Sequence, residues 1–282
     1  MAVNRVIAAV ALCACVALGQ AAHPDDAEAH FRAGDQMEKS GNLAGAEAEY
    51  KKSVELQPKN PSALGALAYV YSTQKRYPEA EAALRQFIAL DPQNAKAHVQ
   101  LGTLLLESKQ NEAGIKELTA ASGLAGSDAA LLRKVAELYA AHSLYPQAAQ
   151  QYSSVLRLNP KDADAHYGFG VLLMQLRRFD GAQSELQRAV ALQPDIQEAY
   201  GDLAVAASEN KDFAGAIEAL DARARFLPES AATYFLRATS YDHLKQMPLA
   251  ADNYRKFLAA DEGKNPNQEW QAKHRLVAIE KK

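Results

Sequence analysis

This chain of 282 residues is poor in cysteine, in tryptophan and in blocks of like charge. Its two cysteines, Cys13 and Cys15, both lie within the first fifteen residues. Once that segment is removed, nothing remains to form a disulfide, a thiolate nucleophile or a zinc–thiolate site, and packing alone must hold the fold. Lysine and arginine number 31 against 34 acids, a net charge of −3, with no basic block longer than a pair. That argues against a nucleic-acid footprint. No alternation of apolar and polar residues is long enough to make a strand. The N-terminal apolar run, Val6 to Leu18, falls short of the about 20 residues that span a bilayer comfortably.

What is present is a chain with 48% hydrophobic and 23% charged residues, ample material for a folded core. The beginning has the layout of a secretory signal: Asn4 and Arg5, then VIAAVALCACVAL, then small residues and the polar HPDDAEAH. Residues 1–21 are therefore expected to be cleaved, after Gly19 or Ala21, leaving 22–26 as a short polar leader and a periplasmic or secreted protein. A lipoprotein is the second expectation, because LCAC, Leu12 to Cys15, resembles a lipobox. Cys15 would then carry acyl chains and tether the protein to a membrane.

A period of 34 organises the rest. LQP, LDP, LNP, LQP and FLP end at Pro58, Pro92, Pro160, Pro194 and Pro228, with Gly126 in the missing place. Seven units follow without insertion, beginning at Ala27, Pro61, Ala95, Ala129, Ala163, Gln197 and Ala231, and they span 27–262. The eighth place is always small: Gly34, Ala68, Gly102, Ala136, Gly170, Ala204, Ala238. Gly168 and Gly170 thus lose their likeness to a nucleotide loop, because Gly170 recurs as a close approach between helices. With the fourth, seventh and eleventh places, the eighth forms the i, i+3, i+4, i+7 stripe of an amphipathic helix. A second helix follows, marked by Ala46, Ala80, Gly114, Ala148, Ala182, Ala216 and Ala250 and by large residues four places later. Proline near the unit's end stops it. SGLAGSD, Ser122 to Asp128, replaces that proline corner in the third unit and predicts a looser or shifted junction. Residues 263–282 read as a linker and a last helix. Trp270, His274 or Val277, and Leu276 or Ile279, are its candidates for covering the open end of the stack.

The spacing resembles the tetratricopeptide repeat: a large residue, L-G, Y, A-x3-F, then P over 34 residues. The tryptophan of that pattern is replaced by His30, Leu64, His98, Leu132, His166, Tyr200 and Tyr234. The resemblance implies an all-α, right-handed superhelical solenoid of seven helix-turn-helix repeats with a C-terminal capping helix. It also implies a non-catalytic, protein-binding scaffold, which the signal-like start places outside the cytoplasm, with an expected role in assembly of an envelope or secretion complex. Alternatives are a membrane-tethered lipoprotein assembly factor and a substrate-holding accessory subunit of an enzyme.

No catalytic constellation survives placement on the repeat, and no cofactor, metal or small-molecule substrate is expected. His98 and His166 hold the fourth place of units two apart and read as packing residues. His23 and His30 with Asp25, Asp26 and Glu28 read as a polar helix start. Arg237 and Asp252 are expected to form an ion pair within the seventh hairpin, and Arg223 breaks a usually small position without an account. Partner binding is expected on the second face of the first helices, the lining of the family's inner groove, at Tyr69, Val99, Thr103, Leu106, Tyr167, Val171, Met174, Val205 and Phe235. A carboxylate clamp is disfavoured, since Phe31, Asp35, Ala66, Lys96 and Gln100 stand in the corresponding places. The partner expected is an apolar or amphipathic segment of another protein.

Overall fold

The computed structural model describes residues 24–281. The expected signal peptide and lipobox lie outside the described residues, as does His23. Fifteen α-helices and no strand occur among the described residues. The chain divides into two compact units at Gln93/Asn94. The first holds α1 (Pro24–Lys39), α2 (Leu43–Leu56), α3 (Pro61–Thr73) and α4 (Tyr77–Leu90). The second opens with α5 (Ala95–Glu107), α6 (Asn111–Ala125), α7 (Ala129–Ala141), α8 (Tyr145–Leu158), α9 (Ala163–Gln175) and α10 (Phe179–Leu192). It continues with α11 (Gln197–Glu209), α12 (Phe213–Arg223), α13 (Ala231–His243), α14 (Met247–Asp261) and α15 (Pro266–Glu280). Consecutive helices pair as hairpins, and within each unit each hairpin packs on the next.

The turn inside every hairpin is built the same way. Gly41, Lys75, Lys109, Ser143, Arg177, Lys211 and Lys245 all have positive φ, between 55° and 80°. At each, two backbone bonds close the first helix; in the second hairpin Lys75 N–H donates to Ser72 and Arg76 N–H to Tyr71. This is the left-handed Schellman ending, which glycine adopts most freely. Only the first hairpin uses glycine there. Entry into the next hairpin is fixed by side-chain caps: Asn60, Asn94, Asp128, Asp162 and Ser230 each accept from a backbone N–H one turn on. Ile196, before α11, makes no such bond.

The small eighth place is a close approach between paired helices. A Cβ at Gly170 would stand 2.7 Å from Leu186 Cγ on α10. The third hairpin's junction is shifted: α6 runs to Ala125 and the chain turns at Gly126, with φ 57°. In the sixth hairpin α12 ends early, at Arg223, whose Nη1 donates to the Pro228 carbonyl at 3.0 Å and closes the turn before α13. That accounts for an arginine at a usually small place.

Three sequence expectations are corrected. Arg237 pairs with Asp221 and Glu229, whereas Asp252 pairs with Lys256 on its own helix. Both true partners precede α13, so the guanidinium ties it back to the preceding hairpin. In α15, Ala272 and Leu276 are buried and Ile279 packs beside them against the α13–α14 core. Trp270 is 63% exposed with its ring 3.9 Å from that of His274 and tilted to it, and Val277 is 51% exposed. The lid therefore keeps Leu276 and Ile279 of the expected residues, adds Ala272, and turns Trp270, His274 and Val277 outward. The third correction, Leu106, belongs to the site below.

Candidate partner-binding surface

Two kinds of polar contact tie the first helix to the second in the first, third, fifth and seventh hairpins. His30, His98 and His166 each meet, through Nδ1, a glutamate nineteen residues on: Glu49 at 2.5 Å, Glu117 at 2.7 Å and Glu185 at 2.6 Å. These are the first, third and fifth hairpins, and the histidines join first helix to second. His166 is 4% exposed, and its Nε2 also meets the Pro160 carbonyl at 3.1 Å. The second lock joins a tyrosine on the second helix to an acid on the first. Tyr50 donates to Glu38 at 2.9 Å, and Tyr254 donates to Asp242 at 3.3 Å. Asp242 additionally accepts two hydrogen bonds of 2.6 Å from Arg275, which anchors α15. Neither lock was foreseen: His98 and His166 read as packing residues, His30 as part of a polar helix start, the tyrosines as one face of the second helix, and the acids opposite them were not matched.

The nine expected partner-binding residues fall into three groups. Leu106 is 2% exposed and belongs to the core around Leu118 and Leu132, which removes it from the surface. Val99 packs partly on that core, and Thr103 returns its hydroxyl to the Val99 carbonyl at 2.8 Å. Phe235 is half-buried, its ring 5.0 Å from Phe257 and 6.2 Å from Tyr254, so it serves the seventh hairpin's own packing. Open to partners are Tyr69, 52% exposed in the first unit, and Val205, 39% exposed in the second. Tyr167, Val171 and Met174 on α9 are half-buried, with Met174 and Tyr167 against the core around Leu173 and Leu203.

The structure brings Tyr167 and Val171 together in a cleft of about 480 Å³ between α7, α8 and α9. Glu137, Ala140 and Ala141 of α7, Ser143 and Tyr145 of the turn and α8, Tyr152, Gly168, Leu172 and Gln175 complete its wall. Tyr167 donates its hydroxyl to Asp202 of α11 at 3.1 Å. Burial, Asp202 and Glu198 push the tyrosine up to about 12. Burial also raises Asp202, against the Tyr167 hydrogen bond that lowers it. Among the described residues no group of three or more histidine, cysteine or acid side chains is placed to hold a metal, and no helix is long and apolar enough to cross a membrane.

A profile of the tetratricopeptide repeat matches residues 37–88, 73–138 and 139–200. The chain belongs to the tetratricopeptide repeat family. Such repeats bind proteins or peptides and are generally non-catalytic. Among characterised proteins, BBSome complex member bbs-4 of Caenorhabditis elegans is 23% identical over 179 residues, 64% of this chain. Cellulose synthase operon protein C of Xanthomonas axonopodis pv. citri is 28% identical over 222 residues, 79% of this chain. The chain spans 39% of the first relative's length and 13% of the second's. Among solved structures, the C-terminal part of a TPR repeat-containing protein from Cytophaga hutchinsonii superposes with a TM-score of 0.68 at 18% identity, covering 87% of this chain and 99% of that one. A tetratricopeptide repeat protein from Parabacteroides merdae gives 0.58 at 18%, covering 90% and 99%. At that identity the likeness is one of fold.

Proposed function

We propose that this tetratricopeptide repeat protein is an exported, non-catalytic scaffold that binds an apolar or amphipathic segment of another protein along the first-helix faces of its second unit. The observation that carries this is the strip of Tyr167, Val171 and Met174 on α9 and Val205 on α11, half-buried or exposed, of which Tyr167 and Val171 line an open cleft. Such a strip, with adaptable methionine and a tyrosine anchor, suits a protein partner. Export rests on the signal-like start, and a role in assembling an envelope or secretion complex follows from export. A tethered form follows if Cys15 is lipidated. The likeness to a protein named for a cellulose synthase operon supports a second reading, an accessory subunit that holds a polypeptide for an enzyme.

The test replaces Val171 and Met174 with aspartate in the full chain, checks that helicity and melting are unchanged, and compares partner recovery from envelope extracts. A lost partner with an intact fold supports the groove. Unchanged recovery places the binding surface elsewhere.

A further inference from the structure

Tyrosine recurs at the same place of the second helix in three hairpins: Tyr50, Tyr152 and Tyr254. In the first and seventh hairpins its hydroxyl donates to an acid twelve residues earlier, Glu38 or Asp242. In the fourth hairpin that place is Ala140. Tyr152 is 3% exposed and its ring lies 5.9 Å from Phe169, yet its hydroxyl makes no hydrogen bond with any described residue. The ring is buried, but the hydroxyl opens into the cleft, where a polar group of a partner can reach it. Position 168 bears on the same oxygen. A side chain there would collide with the Tyr152 hydroxyl, and glycine leaves it uncovered. The short methyl of Ala140 and the bare Cα of Gly168 thus leave the cleft open onto this atom.

Glu137 is the charged side chain on the wall of the cleft, and Arg133 and Lys134 stand beside it. Glu137, on its wall, has only loose cationic neighbours: Arg133 Nη1 at 3.6 Å and Lys134 Nζ at 3.8 Å. Arg133 is drawn away by Asp164 at 2.9 Å and Asp162 at 3.5 Å. On the next first helix, Asp202 and Glu198 stand one turn apart beside Tyr167 with no ion-pair partner among the described residues. A loosely paired carboxylate, a hydroxyl open to the cleft, and aromatic and aliphatic walls fit a cationic head on a methylene stem.

We propose that the cleft receives an arginine or lysine side chain from a basic amphipathic segment of the partner. Its head meets Glu137 and the Tyr152 hydroxyl oxygen, and its stem lies along Val171 and Ala140. The proposal rests on the groove reading above and adds the sign of the partner's charge. It is the reverse of a clamp for a peptide's carboxylate.

The experiment titrates the full chain with three synthetic amphipathic peptides of equal length, leucine on one face and arginine, glutamine or glutamate on the other, by fluorescence anisotropy. The arginine peptide is expected to bind tightest and the glutamate peptide weakest. Glu137→Gln is expected to weaken the arginine peptide about tenfold, one charge-assisted hydrogen bond, and to leave the glutamine peptide unchanged. Glu112→Gln, an equal loss of charge on the exposed start of α6, is expected to change neither. Tyr152→Phe, which keeps the ring, is expected to weaken the arginine peptide alone. Equal binding of all three peptides, abolished by Val171→Asp, would overturn the cation pocket and leave the groove standing. An arginine peptide weakened alike by Glu137→Gln and Glu112→Gln would overturn it too. Binding indifferent to Val171→Asp would remove the groove, and the pocket with it.

Discussion

Six of the seven hairpins turn on a residue that is not glycine, and each holds a left-handed conformation that costs an L-residue roughly 1–2 kcal/mol. Lys109→Gly is therefore expected to stabilise the protein by up to about 1 kcal/mol, after glycine's larger unfolded-state entropy is set against the relieved strain. A higher denaturation midpoint at unchanged slope would show it. Arg237 gives the opposite case. Replacing it with methionine strands Glu229, one of whose oxygens is buried and unpartnered even in the intact protein. The expected loss is about 3 kcal/mol. A double-mutant cycle should show coupling to Glu229 and none to Asp252. The sequence marked Arg237 as out of place because every neighbouring hairpin has an uncharged residue there. It did not name the partners, because sequence periodicity locates residues on one hairpin, whereas Glu229 and Asp221 lie before it. The His–Glu locks escaped for a related reason: a pair nineteen residues apart crosses a turn and falls within no helical period.

At the scale of the helix, the pattern of apolar places was enough to foresee seven hairpins, because each helix buries a single stripe and the small eighth place admits one packing partner. It was not enough for α15. There two stripes compete, 270/274/277 and 272/276/279, and the bulkier one is exposed. What selects the other is Arg275, whose bidentate bonds to Asp242 fix the rotation of α15 on α13. Those bonds hold the Asp242 carboxyl below the usual aspartate range, against burial, which raises it. An acid depressed in the folded state contributes stability above its unfolded pKa, near 3.9, and loses it as pH falls through the lower native value. Amide exchange in residues 266–280 is therefore expected to accelerate below about pH 4 before that of α9 or α10 does. Arg275→Ala should remove that pH step and leave α15 frayed at neutral pH.

Across the whole chain, stability is carried by neighbours, since hairpins within a unit meet only those beside them. Removing residues 266–282 should uncover Tyr254 and Phe257 and cost on the order of 2 to 4 kcal/mol at that end. Exchange in the first unit is expected to be untouched, and a uniform loss of protection would contradict a linear array. The left-handed turns lend themselves to a different use. Lys75, Lys109, Arg177, Lys211 and Lys245 are exposed, stand at hairpin tips, and are all residues after which trypsin cuts. Ser143 leaves a gap in the series. Brief digestion should thus yield a ladder with steps of 34 residues and one of 68. The order in which its rungs appear would make the protein its own gauge of which hairpin opens first, and a bound partner would be seen as the rungs it erases.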